Sequence, residues 1–379
     1  MIPQIQPWID DSEWQEVKQV LESTYLTENK VTAKFEAEIK ALTGAKHAIA
    51  VCNGTAALYC GLKALGIGHG DEVIVPNFTF VASSNAVIMA GAKPIFCPVR
   101  ADTLCIDVDA AAALVNKKTK AIMPVHIYGQ SADLEATLAF SKKFNLKVIE
   151  DAAQAIGVEF NDRHVGYYGD VGAFSFYGNK TITCGEGGII LTESDTIAQS
   201  CRRLKNHGRS RRGTFVHEEI GFNFAMTEMQ AAVGIAQLRK LPAIIERKRQ
   251  IHEAYEVGLM DVAQLQPFVI DSRCKPVHWF TSFYAENREQ LAKYLADHGI
   301  QTRLFFCPLH LQPCYQDWTD PNMTYPVSTS AYEQGISFPS SYILTDEEQD
   351  FIITKIHQFY QLHEQGESAK ISSFSISNS

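Results

Sequence analysis

The stretch Gly172-Ala-Phe-Ser175-Phe-Tyr-Gly-Asn-Lys180-Thr-Ile-Thr-Cys184-Gly-Glu-Gly-Gly188 joins two apolar runs through a loop of Gly, Asn and Thr. The runs, Val171–Phe176 and Gly188–Thr192, read as strands buried on both faces of a sheet, because neither alternates with polar residues. Ser175 then ends one strand and Lys180 sits in the loop. A lone lysine in such a loop is ordinarily solvated, so its meaning depends on what the rest of the chain brings beside it.

Outward from this stretch the same pattern repeats. His47–Val51, Glu72–Val75, Pro94–Val99, Ala121–Val125 and Lys147–Glu150 are short apolar strands, separated by helices starting near Gly54, Thr79 and Ala132. This is the rhythm of an α/β domain with a mostly parallel sheet covered by helices. Two helices precede it, one capped by Ser12 with Trp14, Val17, Val20 and Leu21 on one face, the other running from Thr32 through Phe35, Ile39 and Leu42 to Gly44. A helical stretch from Thr227 into the 250s, interrupted by Pro242, serves as connector. Beyond it a strand at His278–Tyr284, a helix at Arg288–His298, a strand at Gln301–Phe305 and a helix at Thr345–Gln361 form a smaller α+β domain. The expected division is 1–240, 241–365, and a Ser-rich disordered tail over 366–379.

Composition bounds the function. The 379 residues are 46% apolar and 20% charged, globular values for a chain with a sizeable core. With 34 Lys plus Arg against 43 Asp plus Glu, the formal charge of −9 disfavours nucleic acid and anionic membranes as partners. Nine cysteines without a CxxC pair or finger spacing read as thiols of a reducing compartment, and no metal site is expected. The opening Met1-Ile-Pro-Gln-Ile-Gln-Pro lacks the basic and apolar regions of a signal peptide, and no span is apolar enough for a membrane, so the cytoplasm is the expected location. Gly66-Ile-Gly-His-Gly70 lies between a helix and a strand and reads as a turn, not a dinucleotide fingerprint. P-loop, GxSxG and HExxH motifs are missing.

Three further features gather around Lys180. Asn53-Gly-Thr-Ala-Ala57 lies where a strand gives way to a helix, so backbone N–H groups and the Thr55 hydroxyl can hold a phosphate. Val148-Ile-Glu-Asp151 ends another buried strand, placing Asp151 at the carboxyl edge of the sheet, where open α/β proteins bind ligands. Phe80, in Pro76-Asn-Phe-Thr-Phe80, is an aromatic able to cover a flat ring. Pyridoxal phosphate needs this set: a phosphate cup, a carboxylate for the ring nitrogen, and a Schiff-base lysine.

The chain resembles, over nearly its whole length, the nucleotide-sugar aminotransferases of the DegT/DnrJ/EryC1/StrS group, enzymes of the aspartate-aminotransferase fold (pyridoxal-phosphate fold type I). Four blocks carry the resemblance: Asn53–Leu58, Glu150–Gly157, Phe174–Gly188, and Gly221-Phe-Asn-Phe-Ala-Met-Thr-Glu-Met-Gln-Ala-Ala232. It implies Lys180 as the Schiff-base lysine, Asp151 against the ring nitrogen, Gln154 against the ring hydroxyl, and Phe80 stacked on the ring. Gly54, Thr55, Ala56 and Ser175 would hold the phosphate. Asn223 would reach the phosphate of a neighbouring subunit, implying a homodimer with shared active sites.

Gly178-Asn-Lys-Thr-Ile-Thr183 is similar to enzymes that aminate C4 of 4-keto-6-deoxy sugars, above all perosamine synthases. The implied reaction moves the amino group of L-glutamate, leaving 2-oxoglutarate, to a nucleotide-linked 4-keto-6-deoxyhexose. GDP-4-keto-6-deoxymannose is favoured over a UDP- or TDP-linked 4-keto-6-deoxyglucose. Substrate contacts are expected from the basic run Arg202–Arg212, with Arg212 foremost, and from His310 and Tyr315 in Arg303–Tyr315. Cys184 departs from the Thr usual in the family and reads as a small filler. A non-catalytic regulator, or a desulfurase using Cys184, are the competing readings.

Overall fold

The computed structural model describes residues 1–379 apart from Arg211, Arg212, Thr214 and 377–379, and gives only the backbone from 364 to 376. Apolar pentapeptides build its central sheet. β1 (His47–Val51), β2 (Glu72–Pro76), β3 (Lys93–Cys97), β4 (Thr119–Ile122) and β5 (Lys147–Asp151) are followed by a small hairpin, β6 (Glu159–Phe160) and β7 (Arg163–His164). β8 (Val171–Ser175) and β9 (Gly188–Thr192) complete a seven-stranded sheet in the order β1-β9-β8-β5-β4-β2-β3. Strands β8, β5, β4, β2 and β3 pair in parallel, and β9 runs antiparallel to both its neighbours. The α/β reading with a mostly parallel sheet is therefore correct.

Helices α1 (Asp11–Ser23), α2 (Lys30–Thr43), α3 (Gly54–Ala64), α4 (Ala82–Met89), α5 (Val108–Ala111), α6 (Leu134–Phe144) and α7 (Asp195–Leu204) surround the sheet. The cap of α1 differs from expectation: Asp10, not Ser12, is the N-cap, with Glu13 closing a capping box. A carboxylate there receives the Ser12 N–H and suits the positive helix end better than a hydroxyl. α3 packs on β8 and β9, burying Ala56 to Leu62 without a break.

α8 (Glu228–Gly258) runs unbroken through Pro242, where the sequence reading placed an interruption. Proline removes one N–H bond, and burial of Leu241, Ile244 and Ile251 on this helix holds the flanking turns. Residue 240 therefore lies inside one continuous element. Beyond it, β10 (Leu265–Pro267), β11 (Cys274–Lys275), β12 (Thr281–Ala285), α9 (Arg288–Asp297), β13 (Arg303–Leu304), α10 (Pro326–Gln334), β14 (Gly335–Phe338) and α11 (Asp346–Ile376) follow. β10-β12-β14-β13 form an antiparallel sheet packed on α9 and α11 around Phe283, Leu291, Ile336 and Ile352. The backbone of α11 continues through most of the expected tail, whose side chains lie outside the described residues. No helix among the described residues is long and apolar enough to cross a membrane.

Candidate active site

The carboxyl ends of β5 and β8, the start of α3 and the β8–β9 loop converge on a pocket of about 580 Å³. It is lined by Gly54, Thr55, Phe80, Asp151, Gln154, Ser175 and Lys180 among others, so seven of the residues singled out in the sequence meet there. Convergence follows from topology: β5 and β8 are parallel neighbours, and Asp151 and Ser175 are their last residues.

Asn53, two residues past the end of β1, caps α3, its Oδ1 accepting the Ala56 N–H at 2.8 Å. Ala56, the third expected helix-end contact, has its N–H engaged by the cap and does not line the pocket. The Gly54 and Thr55 amides at this positive end remain. Close packing seats the turn. A Cβ on Gly54 would lie 2.9 Å from Ser175 Cβ, and one on Gly188 would lie 2.4 Å from the Asn53 carbonyl oxygen.

Asp151 is held from two sides. Its Oδ2 accepts the Ser83 hydroxyl at 2.6 Å and its Oδ1 the Ala153 N–H at 3.1 Å. The Ser83 hydroxyl also meets Thr79 Oγ1 at 2.9 Å, so α4 contributes a relay absent from the sequence reading. Gln154 accepts the Tyr128 N–H through Oε1 at 2.7 Å, which leaves its amide nitrogen as donor toward the pocket. Beneath them, Glu150 is fully buried and accepts from His126 Nε2 and from the Gly166 and Gly169 N–H groups.

Lys180 Nζ lies over the Trp279 indole, 4.0 Å from its ring centroid. Loss of hydration lowers its basicity, the Arg303 guanidinium lowers it further, and Asp151 opposes them, for a pKa of about 8. Trp279 donates from Nε1 to the Asn179 carbonyl at 2.7 Å and stacks on Phe280, centroids 3.9 Å apart. Its own carbonyl accepts Lys248 Nζ from α8 at 3.0 Å. Phe306 completes the aromatic wall, 5.7 Å from Phe80 between centroids. Trp279, Phe306 and Ser83 are functional neighbours that sequence reasoning missed. No local spacing ties them to Lys180; a Trp beside a predicted strand end was the one available hint.

Several expected contacts lie elsewhere. Tyr315 is buried against Phe96, and its hydroxyl donates to Asn85 Oδ1 at 2.6 Å, so it is a core residue of its own chain. His310 has both ring nitrogens engaged, Nδ1 with Asn77 Nδ2 at 3.0 Å and Nε2 with Thr329 Oγ1 at 3.3 Å, and does not line the pocket. Asn223, expected to serve a neighbouring subunit, is exposed and does not line the pocket of its own chain. Arg212 lies outside the described residues. Within the same run Lys205 is buried against Glu28 and Glu36, and Arg203 pairs with Glu219. Cys184 is buried, packed where a Gly234 Cβ would lie 2.8 Å from its sulfur, and burial pushes the thiol pKa far up. A buried protonated thiol outside the pocket is no sulfur-transfer nucleophile.

Pyridoxal phosphate fits these residues. An amine of lowered basicity, an anchored carboxylate, an amide donor and an open helix end without a Cβ in the way face one cavity of suitable size. Comparison with known proteins agrees with that chemistry. The sequence profile of the DegT/DnrJ/EryC1/StrS aminotransferase family matches residues 7–357. The chain is 37% identical over 366 residues to GDP-perosamine synthase of Vibrio cholerae, covering 95% of this chain and 99% of that protein. It is also 37% identical over 349 residues to a pleiotropic regulatory protein of Geobacillus stearothermophilus, covering 90% and 93%. The crystal structure of S. venezuelae DesV, in complex with a ketimine intermediate, superposes with a TM-score of 0.89 at 31% identity, over 94% of this chain and 98% of that one. The chain belongs to the DegT/DnrJ/EryC1/StrS aminotransferase family, enzymes that work with pyridoxal phosphate.

Proposed function

We propose that this enzyme transfers the amino group of L-glutamate to the C4 ketone of a nucleotide-linked 4-keto-6-deoxyhexose, with GDP-4-keto-6-deoxymannose as substrate and GDP-perosamine as product. The observation that carries the reading is one pocket holding Lys180, Asp151 and the α3 N-terminus together, in a chain similar to GDP-perosamine synthase over nearly its full length. An intact lysine and its anchored acid favour catalysis over a regulator that keeps only the fold.

Lys180, Asp151, Gln154, Phe80, Ser175, Thr55 and the Gly54 amide would hold the cofactor. When bound, pyridoxal phosphate supplies an electron sink for the charge left on carbon when a C–H bond breaks. The chain's own residues do the rest. The Lys180 amine would act as the base that takes the proton from the donor Cα and, in the second half-reaction, as the acid that delivers one to C4 of the sugar. Its lowered basicity suits both directions near neutral pH. Asp151, fixed by Ser83 and the Ala153 N–H, would be the carboxylate partner of the ring nitrogen. Trp279 and Phe306 shield the reacting atoms from water.

Asn223 and the neighbouring Phe215, Val216 and Ile220, the last three at 87%, 71% and 86% exposure, support a homodimer covering this segment.

The test is the visible absorbance of the purified protein and of Lys180→Ala, first with glutamate and then with each 4-keto sugar nucleotide. Glutamate is expected to bleach the wild-type band, and the GDP sugar to restore it. Restoration by a UDP or TDP sugar alone would reassign the nucleotide. A wild type with no Lys180-dependent band would reject the aminotransferase reading.

A further inference from the structure

Three lysines are buried among the described residues, Lys205, Lys240 and Lys248. Lys205 sits between Glu28 and Glu36, and Lys240 between Asp10 and Glu13, so carboxylates replace the hydration these two ammonium groups lose. Lys248 forms no ion pair among the described residues. It projects from α8 into the interior, 3% exposed, and its Nζ donates to two backbone carbonyls, Trp279 at 3.0 Å and Ser340 at 2.8 Å. The titratable rings beside it are bases: His252, one turn further along α8, stacks on His278 with centroids 3.7 Å apart, and His278 adjoins Trp279 in sequence. Burial without a carboxylate brings the Lys248 pKa down to about 7. An apolar side chain of the same length would fill this space at less cost, so what the position gains from lysine is its donors.

The two carbonyls belong to segments that meet at one end of the smaller sheet. Trp279 precedes β12, and Ser340 follows β14, the antiparallel neighbour of β12. Their ladder begins at the Thr281–Phe338 pair, two residues past Trp279, so strand pairing does not fix that backbone. Lys248 does. The Trp279 ring is held at its other end, where Nε1 donates to the Asn179 carbonyl at 2.7 Å, and the next residue, Lys180, lies with Nζ 4.0 Å from the indole centroid. We propose that Lys248 is a positioning residue for transamination: by holding the Trp279 backbone it keeps the indole against Lys180 and keeps water from the amine. This rests on Lys180 being the cofactor-binding lysine.

The direction of the effect follows from the balance at Lys180. Burial is the largest influence on that amine, ahead of the opposing Asp151 and of Arg303, and the indole is one wall of the burial. A ring face attracts an ammonium weakly beside the hydration it displaces, so an indole that loosens raises the basicity of Lys180.

The test follows capture of pyridoxal phosphate by the full-length apoprotein across pH, with thermal unfolding in parallel. Lys248→Met keeps the length of the side chain and removes its donors, while Trp279→Phe keeps an aromatic wall and removes the Nε1 bond. Asp151, Glu186 and Arg303, the charged groups that share the pocket with Lys180, are the same in every variant. The pH at which capture levels off, about 8 in the wild type, is expected to rise by about one unit in Lys248→Met and by a similar amount in Trp279→Phe. The double variant shifts no further than the larger single one, because both act through one ring. Should Lys248→Met not fold, Lys248→Gln, whose shorter amide cannot reach both carbonyls, is held to the same upward shift. An unmoved levelling point, even with lowered thermal stability, makes Lys248 a structural residue only and overturns the proposal. Shifts that add in the double variant overturn it as well, since Lys248 would then act by its charge and not through the indole. A wild type with no capture that Lys180→Ala abolishes removes the assignment of Lys180 instead.

Discussion

Lys180 shows how a single residue acquires a role from its surroundings. In sequence it is a loop lysine; in the fold, removal from water brings its pKa from 10.5 to about 8. The sign follows. Between those values the unfolded chain binds the proton that the folded chain has released, so this group makes the apoprotein more stable as pH rises from 8 toward 10.5. Below 8 its destabilising effect is fully present. Only the neutral amine attacks an aldehyde, so capture of pyridoxal phosphate by the apoprotein is expected to accelerate about tenfold per pH unit below 8 and to level off above it. Stopped-flow absorbance across pH checks this; a flat profile would contradict the lowered basicity. Ser83 is a subtler case. Ser83→Ala leaves the Asp151 carboxylate with one anchor, and equilibrium dialysis should show cofactor retention weakened by about five- to tenfold.

At the scale of elements, the pocket depends on how β5 and α3 are seated. Glu150, one residue before Asp151, joins β5 to His126 and to the Gly166–Gly169 turn. Burial raises its pKa, but the His126 bond and the two N–H groups outweigh that and leave it lowered from 4.5. Its contribution is present above that ordinary value and is lost as pH falls below it. Glu150→Ala is expected to cost about 3 kcal/mol in urea unfolding, because three donors are left without an acceptor. Gly188→Ala acts differently. The new methyl would meet the Asn53 carbonyl at 2.4 Å, so β9 and the start of α3 must separate. About 1–3 kcal/mol of overpacking strain and a weakened hold on inorganic phosphate are expected, measured by thermal unfolding and by phosphate competition against the cofactor.

For the whole molecule, the smaller sheet and α8 do more than flank the site. Lys248 on α8 bonds the Trp279 carbonyl, Trp279 bonds the Asn179 carbonyl, and the Lys180 loop is thereby tied to a segment far away in sequence. The apolar segment around Phe215 and Ile220 faces solvent in the single chain, which stands behind the proposed homodimer. Phe215→Ser with Ile220→Ser is expected to shift the protein toward monomer in analytical ultracentrifugation. Unchanged sedimentation would place the interface elsewhere.

The burial pattern of the chain was enough to place the sheet and to bring Asp151, Ser175 and Lys180 to one edge of it. Short apolar runs bounded by turn residues suit strands buried on both faces, and parallel strands send their carboxyl ends to one edge. The remainder depended on packing between distant segments. Tyr315 and His310 lie in a segment that resembles a substrate wall, but packing against Phe96 and bonding to Asn77 absorbed them. Arg303, in that same segment, was left facing Lys180's pocket without an acid, and Trp279 came to lie over the lysine. Periodicity reports which face of an element is buried; whether a polar side chain finds its partner in the core or waits for a ligand depends on neighbours hundreds of residues away.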